Sequence, residues 1–259
     1  MENSTFIRMI KVVLFGAGNV GTRFYQAMNN NDGIVVTQWF NRSLSAMTLA
    51  GPNTICTNDL DDLEPADLYL LAVADDALPE LVEKIPVGSA VVAHTAGSLS
   101  IELLEKHPNH GVLYPLQTLS KKRDLPFDQI PLCIEANHNK ADKILRQIAT
   151  ALGAPAQTID SRQRQALHVA AVFVNNFTNS LFAQGERLCA EHQVDFGILQ
   201  PLILETAQKV QRLLPQQAQT GPAIRNDQST IEKHLQLLND PIQKKIYQLL
   251  THAIQHKHD

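Results

Sequence analysis

The segment VVLFGAGNVGTRF, residues 12–24, constrains the fold of this chain more than any other feature. A nearly continuous apolar run at residues 9–15 leads into three glycines, and an amphipathic stretch at residues 19–29 follows. Apolar runs of this length are typical of buried parallel strands. A strand, a glycine-rich turn and a helix in this order predict the first βα unit of an α/β fold.

The same alternation of strand and helix continues to about residue 160. Further strands are predicted by the short apolar runs at residues 34–40, 54–57, 67–74, 89–94, 111–114 and 131–135. With helical patterns between several of them, the order predicts a doubly wound, mainly parallel sheet. Beyond Asp160 the patterns are helical, and residues 163–192 form one long helical pattern. We therefore predict an α/β domain at residues 1–159 and an all-helical domain at residues 160–259.

The spacing of Gly16, Gly18 and Gly21 fits G-x-G-x-x-G, the pattern of dinucleotide-binding turns. Gly16 would form the turn, Gly18 would let the backbone approach a pyrophosphate, and Gly21 would let the helix pack closely on the strand. The helix N-terminus would present free N–H groups to that anion. A tight turn without a ligand is the alternative. The predicted cofactor contacts in this turn are Gly16, Ala17, Gly18, Asn19, Val20 and Gly21.

The end of the second predicted strand indicates which dinucleotide binds. NAD-binding turns carry an acidic residue about 20 positions beyond the glycines, where it holds the ribose hydroxyls. This chain has Asn41, Arg42 and Ser43 there. Arg42 offers a planar, charged donor group to a 2′-phosphate, which an acidic residue would repel. We therefore predict NADP as the cofactor, the alternative being that Arg42 is a solvated charge and Ser43 caps the next helix.

Several segments resemble pyrroline-5-carboxylate reductases, deazaflavin-dependent NADP oxidoreductases and a bacterial branch related to both. The resemblance lies in the glycine motif, in NRS at the second strand, and in VVAHTAGSLSIELLEK and GVLYPLQTLS. It covers nearly the whole chain. It implies a Rossmann-type NADP-binding domain, followed by a helical domain of the 6-phosphogluconate dehydrogenase type. It also implies a homodimer built through the helical domain.

The resemblance places particular residues beside the nicotinamide. Ala96 and Gly97 match the small-residue turn that lies there in the reductases. Pro115 matches the first residue of their proline–asparagine pair, but Leu116 stands in place of the asparagine and Gln117 follows one position late. The serine- and glycine-rich substrate loop of the reductases is missing. The resemblance therefore supports the fold and the cofactor, and it does not extend to the proline-pathway substrate.

Three places carry candidate catalytic or substrate-binding groups. His94 ends the fifth predicted strand, and ligands bind at the carboxyl ends of strands in such sheets. Because histidine titrates near neutral pH, His94 is a candidate for proton transfer. The alternative is a structural histidine whose ring is hydrogen-bonded to backbone groups. His168, Asn175 and Asn179 would share one face of a continuous helix, and Asn175 could have either a catalytic or a structural role.

Arg225 lies in TGPAIRND, which resembles a signature of the related bacterial proteins. It could bind a carboxylate or could pair with Asp227.

Other residues complete the predicted site. The remaining cofactor contacts are Val73, Ala74, Thr95, Ala96 and Gly97. The predicted substrate contacts are Ser98, Gln117, Asn179 and Arg225.

Composition excludes several other classes of function. The net charge is -4 and Lys and Arg form no long block, so we expect no nucleic-acid partner. No apolar run approaches the roughly 20 residues that span a bilayer, and the N-terminal sequence lacks the apolar core of a signal peptide. The three widely spaced cysteines predict neither a disulfide framework nor a metal site, and they suggest a reducing compartment. We therefore expect a cytoplasmic protein.

Together these features predict an NADP-dependent oxidoreductase. It would transfer a hydride between nicotinamide and a small substrate with a C=O or C=N bond, one that could carry a carboxylate. The alternative is a protein that binds NADP(H) without catalysis, such as a sensor. It is supported by the lack of an unmistakable catalytic acid or lysine.

Overall fold

The computed structural model describes residues 9–256, so the ends of both predicted domains, residues 1–8 and 257–259, lie outside it. The chain forms two compact units that divide between Asn175 and Asn176. The first unit therefore extends past the predicted domain boundary after residue 159. Each unit is described by itself below.

The first unit contains an eight-stranded sheet, with the strands in the order β3-β2-β1-β4-β5-β6-β7-β8. The strands are β1 Ile10–Phe15, β2 Ile34–Phe40, β3 Ile55–Thr57, β4 Leu68–Leu71, β5 Val91–His94, β6 His110–Pro115, β7 Leu132–Ala136 and β8 Ala156–Thr158. All neighbouring pairs are parallel except β6 and β7, which are antiparallel. The predicted doubly wound, mainly parallel α/β fold is confirmed.

The central strand β1 shows why the sheet is buried on both faces. Successive side chains of a strand point to opposite faces. Val12 and Leu14 accordingly pack into one hydrophobic cluster, and Val13 and Phe15 pack into the other. All four are fully buried, which explains why β1 reads as a continuous apolar run rather than an alternating one.

The strand order reverses at β1, which lies between β2 and β4. In doubly wound sheets the crevice outside the carboxyl ends of the strands at such a reversal is where ligands bind. The helices of this unit are α1 Asn19–Asn29, α2 Leu78–Lys84, α3 Asn139–Ala151 and α4 Ser161–Ala171. Helix α1 begins directly after the glycine turn, as the sequence predicted.

Some elements differ from their predicted forms. Strand β4 ends at Leu71, so Val73 and Ala74 belong to the loop at its carboxyl end. The segment between β5 and β6 contains a short 3₁₀ turn at Ile101–Leu104 in place of a longer helix. Neither α3 nor β8 was predicted, and β8 has only three residues, of which none is fully buried. Strand β8 therefore has no apolar run from which a strand could be predicted.

The long helix predicted at residues 163–192 is not continuous. Helix α4 ends at Ala171, and a π-helical segment follows at Val172–Phe177. Each π-helical N–H bonds to the carbonyl five residues back, so α-helical spacing does not hold across this segment. The continuous α-helical spacing on which the predicted common face of His168, Asn175 and Asn179 rests is therefore not present. Both asparagines are exposed, and their roles remain predictions without that support.

Within the described residues 176–256 of the second unit, the regular elements are all helical. Its helices are α5 Thr178–Glu191, α6 Gln200–Lys209, α7 Pro215–Ala218, α8 Gln228–Leu237 and α9 Pro241–Gln255. The start of α9 is set by Asp240, whose carboxylate accepts the Ile242 N–H at 2.7 Å, and by Pro241 in the first turn. Among residues 9–256, no helix combines the length and the apolar character that a bilayer crossing requires.

Candidate active site

Two of the three glycines in the first turn are required by the packing of the chain itself. Gly16 has a φ of +93°, and a Cβ there would lie 2.2 Å from the Ala72 carbonyl oxygen. A Cβ on Gly21 would lie 2.1 Å from the Gly16 carbonyl oxygen. Both contacts are with backbone, which cannot move aside, so any larger residue would disrupt the turn.

Gly18 differs because nothing within the chain requires it to be glycine. It has an extended backbone with φ −75°, and a Cβ there would meet no atom within 4 Å. It is also the N-cap of α1, where it provides no side-chain cap, and the first turn of that helix has no acidic residue. The result is an uncovered helix N-terminus with open space above it, which fits the approach of a phosphate group.

The turn is held in place from β2. The Asn41 side-chain oxygen accepts the Ala17 N–H at 3.1 Å, and its amide nitrogen donates to the Ser43 carbonyl at 2.9 Å. The buried Trp39 indole N–H donates to the Gly16 carbonyl at 2.9 Å. Asn41 was predicted as a cofactor contact, and its side chain supports the turn that would hold the cofactor.

A cavity of about 510 Å³ lies beside this turn, within the size range of small-molecule sites. The predicted cofactor residues that line it are Gly16, Ala17, Gly18, Asn41, Arg42, Val73 and Ala74. Polar residues that the sequence analysis did not assign also line it, namely Asn58, Asp59, Asp61, Glu80 and Lys84. The first three follow β3 and the other two lie on α2, and no sequence pattern pointed to them.

A second group of polar residues lies at the carboxyl ends of β5 and β6. His94 ends β5 and is fully buried. Its Nδ1 accepts the Ala96 N–H at 3.1 Å, and its Nε2 lies 3.3 Å from the Ser100 carbonyl. Burial, with a smaller contribution from the nearby Arg164 charge, lowers the pKa of His94 to about 4.

The predicted proton-transfer role of His94 does not fit this environment. Both ring nitrogens are engaged by backbone groups, which are the partners expected for a neutral histidine whose Nε2 carries the hydrogen. With a pKa of about 4, the ring is uncharged near neutral pH, and its one N–H points to the Ser100 carbonyl rather than to a ligand. His94 therefore shapes the turn from Ala96 to Ser100, as the structural alternative proposed.

His168 on α4 packs against the turn that His94 shapes. A Cβ on Gly97 would lie 2.6 Å from His168 Nδ1 and 3.0 Å from Tyr114 Cε2, so the glycine makes room for both rings. The Tyr114 hydroxyl on β6 lies 3.1 Å from the same Nδ1. This contact occupies Nδ1 and leaves Nε2 as the ring nitrogen that could face a ligand.

Tyr114 was not among the predicted site residues. Its ring is half-buried, and burial raises the pKa of its hydroxyl, which therefore stays protonated near neutral pH. It directly precedes Pro115, the residue that matches the reductases' proline. A tyrosine at the carboxyl end of a strand was the signal that could have identified it.

A buried arginine fixes α4 on the turn. Arg164 is fully buried and forms an ion pair with Glu135 on β7. It also donates to the Leu99 carbonyl at 2.6 Å and to the Ser161 hydroxyl at 3.1 Å. Gln165 adds a bond from its side-chain nitrogen to the Ser98 carbonyl at 3.0 Å. One helical turn after Arg164, His168 is thereby held over Gly97.

The remaining predicted residues of the first unit have smaller parts in this arrangement. The Thr95 hydroxyl lies 3.4 Å from the Leu71 carbonyl, so it faces β4. Ser98 is exposed and donates to the Asp75 carboxylate. Gln117 is exposed, and its side-chain oxygen accepts the Thr118 N–H at 3.0 Å. Their contacts with cofactor or substrate remain predictions.

Arg225 belongs to the second unit, where it is exposed. The neighbouring Asp227 carboxylate caps α8 by accepting the Thr230 N–H at 3.1 Å and its hydroxyl at 2.7 Å. These bonds lower the pKa of Asp227, and the Arg225 charge contributes less in the same direction. The contacts of Asp227 agree with a structural loop, and substrate binding by Arg225 remains a prediction.

Comparisons with known proteins agree with this architecture. Residues 2–118 match the model of a Rossmann-like domain, and residues 130–254 match that of a domain of unknown function, DUF2520. No curated protein matches the chain. The solved structure of a candidate NADP oxidoreductase from Bacteroides fragilis is 38% identical, with a TM-score of 0.88 over 96% of this chain and 99% of that one.

Two solved enzymes share the fold at low sequence identity. A reductive aminase from Aspergillus terreus, in complex with NADPH and ethyl levulinate, is 14% identical; its TM-score is 0.68 over 97% of this chain and 96% of that one. Pyrroline carboxylate reductase from Plasmodium falciparum, with NADP bound, is also 14% identical. Its TM-score is 0.58 over 95% of this chain and 98% of that one.

Proposed function

Because this chain belongs to the oxidoreductase family that joins a Rossmann-like domain to DUF2520, we propose that it is an NADP-dependent oxidoreductase. It transfers a hydride between nicotinamide and a small substrate with a C=O or C=N bond, and the substrates include keto, hydroxy or imino acids. The observation that carries the cofactor assignment is Gly18. Neither its backbone nor its neighbours require a glycine, and it leaves a helix N-terminus open for a phosphate.

The residues of the first unit fit both ends of the cofactor. Gly18 and the first N–H groups of α1 would hold the pyrophosphate, and Arg42 at the cavity wall would hold the 2′-phosphate. Ala96 and Gly97, at the end of β5, would lie beside the nicotinamide, as the resemblance implies. NADP supplies hydride transfer when it is bound, and the chain must position the substrate and handle one proton.

His168 is the residue we propose for that proton. Its Nδ1 is held by the Tyr114 hydroxyl at 3.1 Å, which fixes the ring orientation and directs Nε2 toward a ligand. Arg164 keeps the helix in place without facing the ligand, because its guanidinium is fully buried. His168 Nε2 would donate the proton to the substrate oxygen or nitrogen during reduction and accept it during oxidation.

Replacing Arg42 with Asp tests the cofactor assignment. We expect the Kd of NADPH to rise at least about tenfold, because hydrogen bonds to charged groups contribute roughly 1.5–3 kcal/mol and about 1.4 kcal/mol is a factor of ten. The Kd of NADH, which lacks the 2′-phosphate, should change less than about twofold, since it makes no such bond. Titration of both nucleotides by fluorescence measures the two constants. Equal losses, or no loss, would contradict the assignment of Arg42.

Activity is tested by NADPH oxidation with a panel of keto acids and cyclic imines. Turnover of one class identifies the substrate type. Tight NADPH binding with no turnover across the panel would contradict the proposed oxidoreductase and favour the non-catalytic alternative.

We also propose a homodimer that forms through the second unit. Many large apolar side chains of this unit are exposed in the single chain, among them Ile198, Leu202, Ile242 and Leu249. Exposed apolar surface of this kind is typical of an interface. Light scattering should give twice the mass of the chain at micromolar concentration, and a monomer there would contradict the proposal.

A further inference from the structure

The cavity beside the glycine turn has a second cation besides Arg42. Lys84 lies in the last turn of α2 and lines the same cavity, and so does Glu80 one turn earlier. The Lys84 ammonium is 2.6 Å from the Glu80 carboxylate. Three charged side chains therefore line the same cavity, Arg42 from the loop after β2 and Glu80 and Lys84 from α2.

Glu80 is the anion that these cations share. The hydrogen bond and charge of Lys84 lower the pKa of Glu80, and the Arg42 charge contributes in the same direction. Both the Lys84 and the Glu80 side chains are more than half exposed. Exposed pairs one helical turn apart are weak, so a stronger anion can separate them readily. A phosphate monoester carries a charge of about −1.5 to −2 at neutral pH, against −1 for a carboxylate.

We propose that Lys84 is a second recognition residue for the 2′-phosphate of NADP and that Glu80 competes with this phosphate for both cations. This inference rests on the proposed function, because it takes NADP as the ligand of the cavity. Arg42 supplies planar, directional hydrogen bonds, and Lys84 supplies a compact charge on a flexible side chain from the end of α2. Glu80 keeps the two cations at the wall in the absence of ligand and weakens the binding of the phosphate.

Opposite effects are expected from changing the two residues of the pair. Lys84→Met keeps most of the apolar length of the side chain and removes its charge. It should raise the Kd of NADPH roughly fivefold, in line with a solvent-exposed charge-assisted contact. Glu80→Gln removes the competing charge and should lower the Kd of NADPH roughly threefold, by the same reasoning. The Kd of NADH should stay within about twofold of the unmodified protein in both variants, because it has no 2′-phosphate.

The matched control is Glu83→Gln, on the same helix. Glu83 pairs with Lys106 at 3.2 Å and is not among the residues that line the cavity. This substitution makes the same change of charge on α2, so a general effect of helix charge would appear in it as well.

Fluorescence titrations of NADPH and NADH against the full-length protein and its variants give all the dissociation constants. Each titration should be repeated at low and high salt. Salt should weaken NADPH binding less in Lys84→Met than in the unmodified protein.

The outcomes separate this inference from the proposed function. A selective loss of NADPH affinity in Arg42→Asp, without one in Lys84→Met, would overturn the role of Lys84 and leave the cofactor assignment intact. Weaker NADPH binding in Glu80→Gln, or an equal gain in Glu83→Gln, would overturn the role of Glu80. Failure of the unmodified protein to bind NADPH would instead overturn the proposed function.

Discussion

Replacing Glu135 with Leu is expected to lower the free energy of unfolding of the first unit by about 3–5 kcal/mol, the usual loss when one partner of a buried ion pair is removed. Arg164 would keep its charge in a fully buried position without its carboxylate partner. Its bonds to the Leu99 carbonyl and the Ser161 hydroxyl cannot neutralise that charge. Urea denaturation followed by circular dichroism measures the loss.

Two further variants make this expectation specific. Glu83→Leu removes a carboxylate from an exposed pair with Lys106, and it should change stability by less than about 0.5 kcal/mol. The double variant Glu135→Leu with Arg164→Met removes both buried charges, so it should recover part of the loss. If Glu135→Leu were no more harmful than Glu83→Leu, the pair would not be holding α4 in place.

The second large effect is expected on catalysis. Replacing His168 with Gln should lower kcat by a factor of about 10²–10⁴, the usual contribution of a positioned acid or base. Glutamine can still accept from Tyr114, but it cannot transfer a proton near neutral pH. The Kd of NADPH should change less than about twofold, because the proposed role concerns the proton and not cofactor binding. Single-turnover measurements with the substrate found in the panel give the rate.

The second unit offers a matched control for this variant. His234 and Tyr247 form a similar pair, with His234 Nδ1 2.8 Å from the tyrosine hydroxyl. His234→Gln should leave kcat unchanged within about twofold, because His234 is exposed and has no proposed part in proton transfer. Tyr114→Phe should lower kcat less than His168→Gln does, because it removes the positioning contact and keeps the imidazole. A purely structural His168 would instead give lower stability with normal turnover per folded molecule.

Much of the fold could be predicted because the information is local. Strand β1, the glycine turn and α1 lie within twenty consecutive residues, and the apolar run and the glycine spacing indicate them directly. Helix α3 was missed although its signal is local, because Ala141, Leu145 and Ile148 are buried at helical spacing. Strand β8 was missed because its three residues, AQT, form no apolar run. The π-helical segment was missed because nothing in the residue types of VFVNNF distinguishes hydrogen bonds to the fifth preceding residue from those to the fourth.

The candidate site was less predictable because its contacts join distant parts of the sequence. Tyr114 meets His168 across 54 positions, and Arg164 meets Glu135 across 29. Sequence patterns identified His168 from its place on a helix but could not indicate its partner. They also could not distinguish a titrating His94 from a buried one, because that difference depends on backbone groups that only the folded turn brings together.

The bond between Trp39 and the Gly16 carbonyl has a practical consequence. Trp39 is the only tryptophan in the chain, it is fully buried, and it stacks on Tyr25 with ring centroids 4.2 Å apart. Indole emission therefore originates at one point, directly behind the turn proposed to hold the pyrophosphate. We therefore expect the emission of Trp39 to change when a dinucleotide occupies that turn, so that binding could be followed without any attached dye.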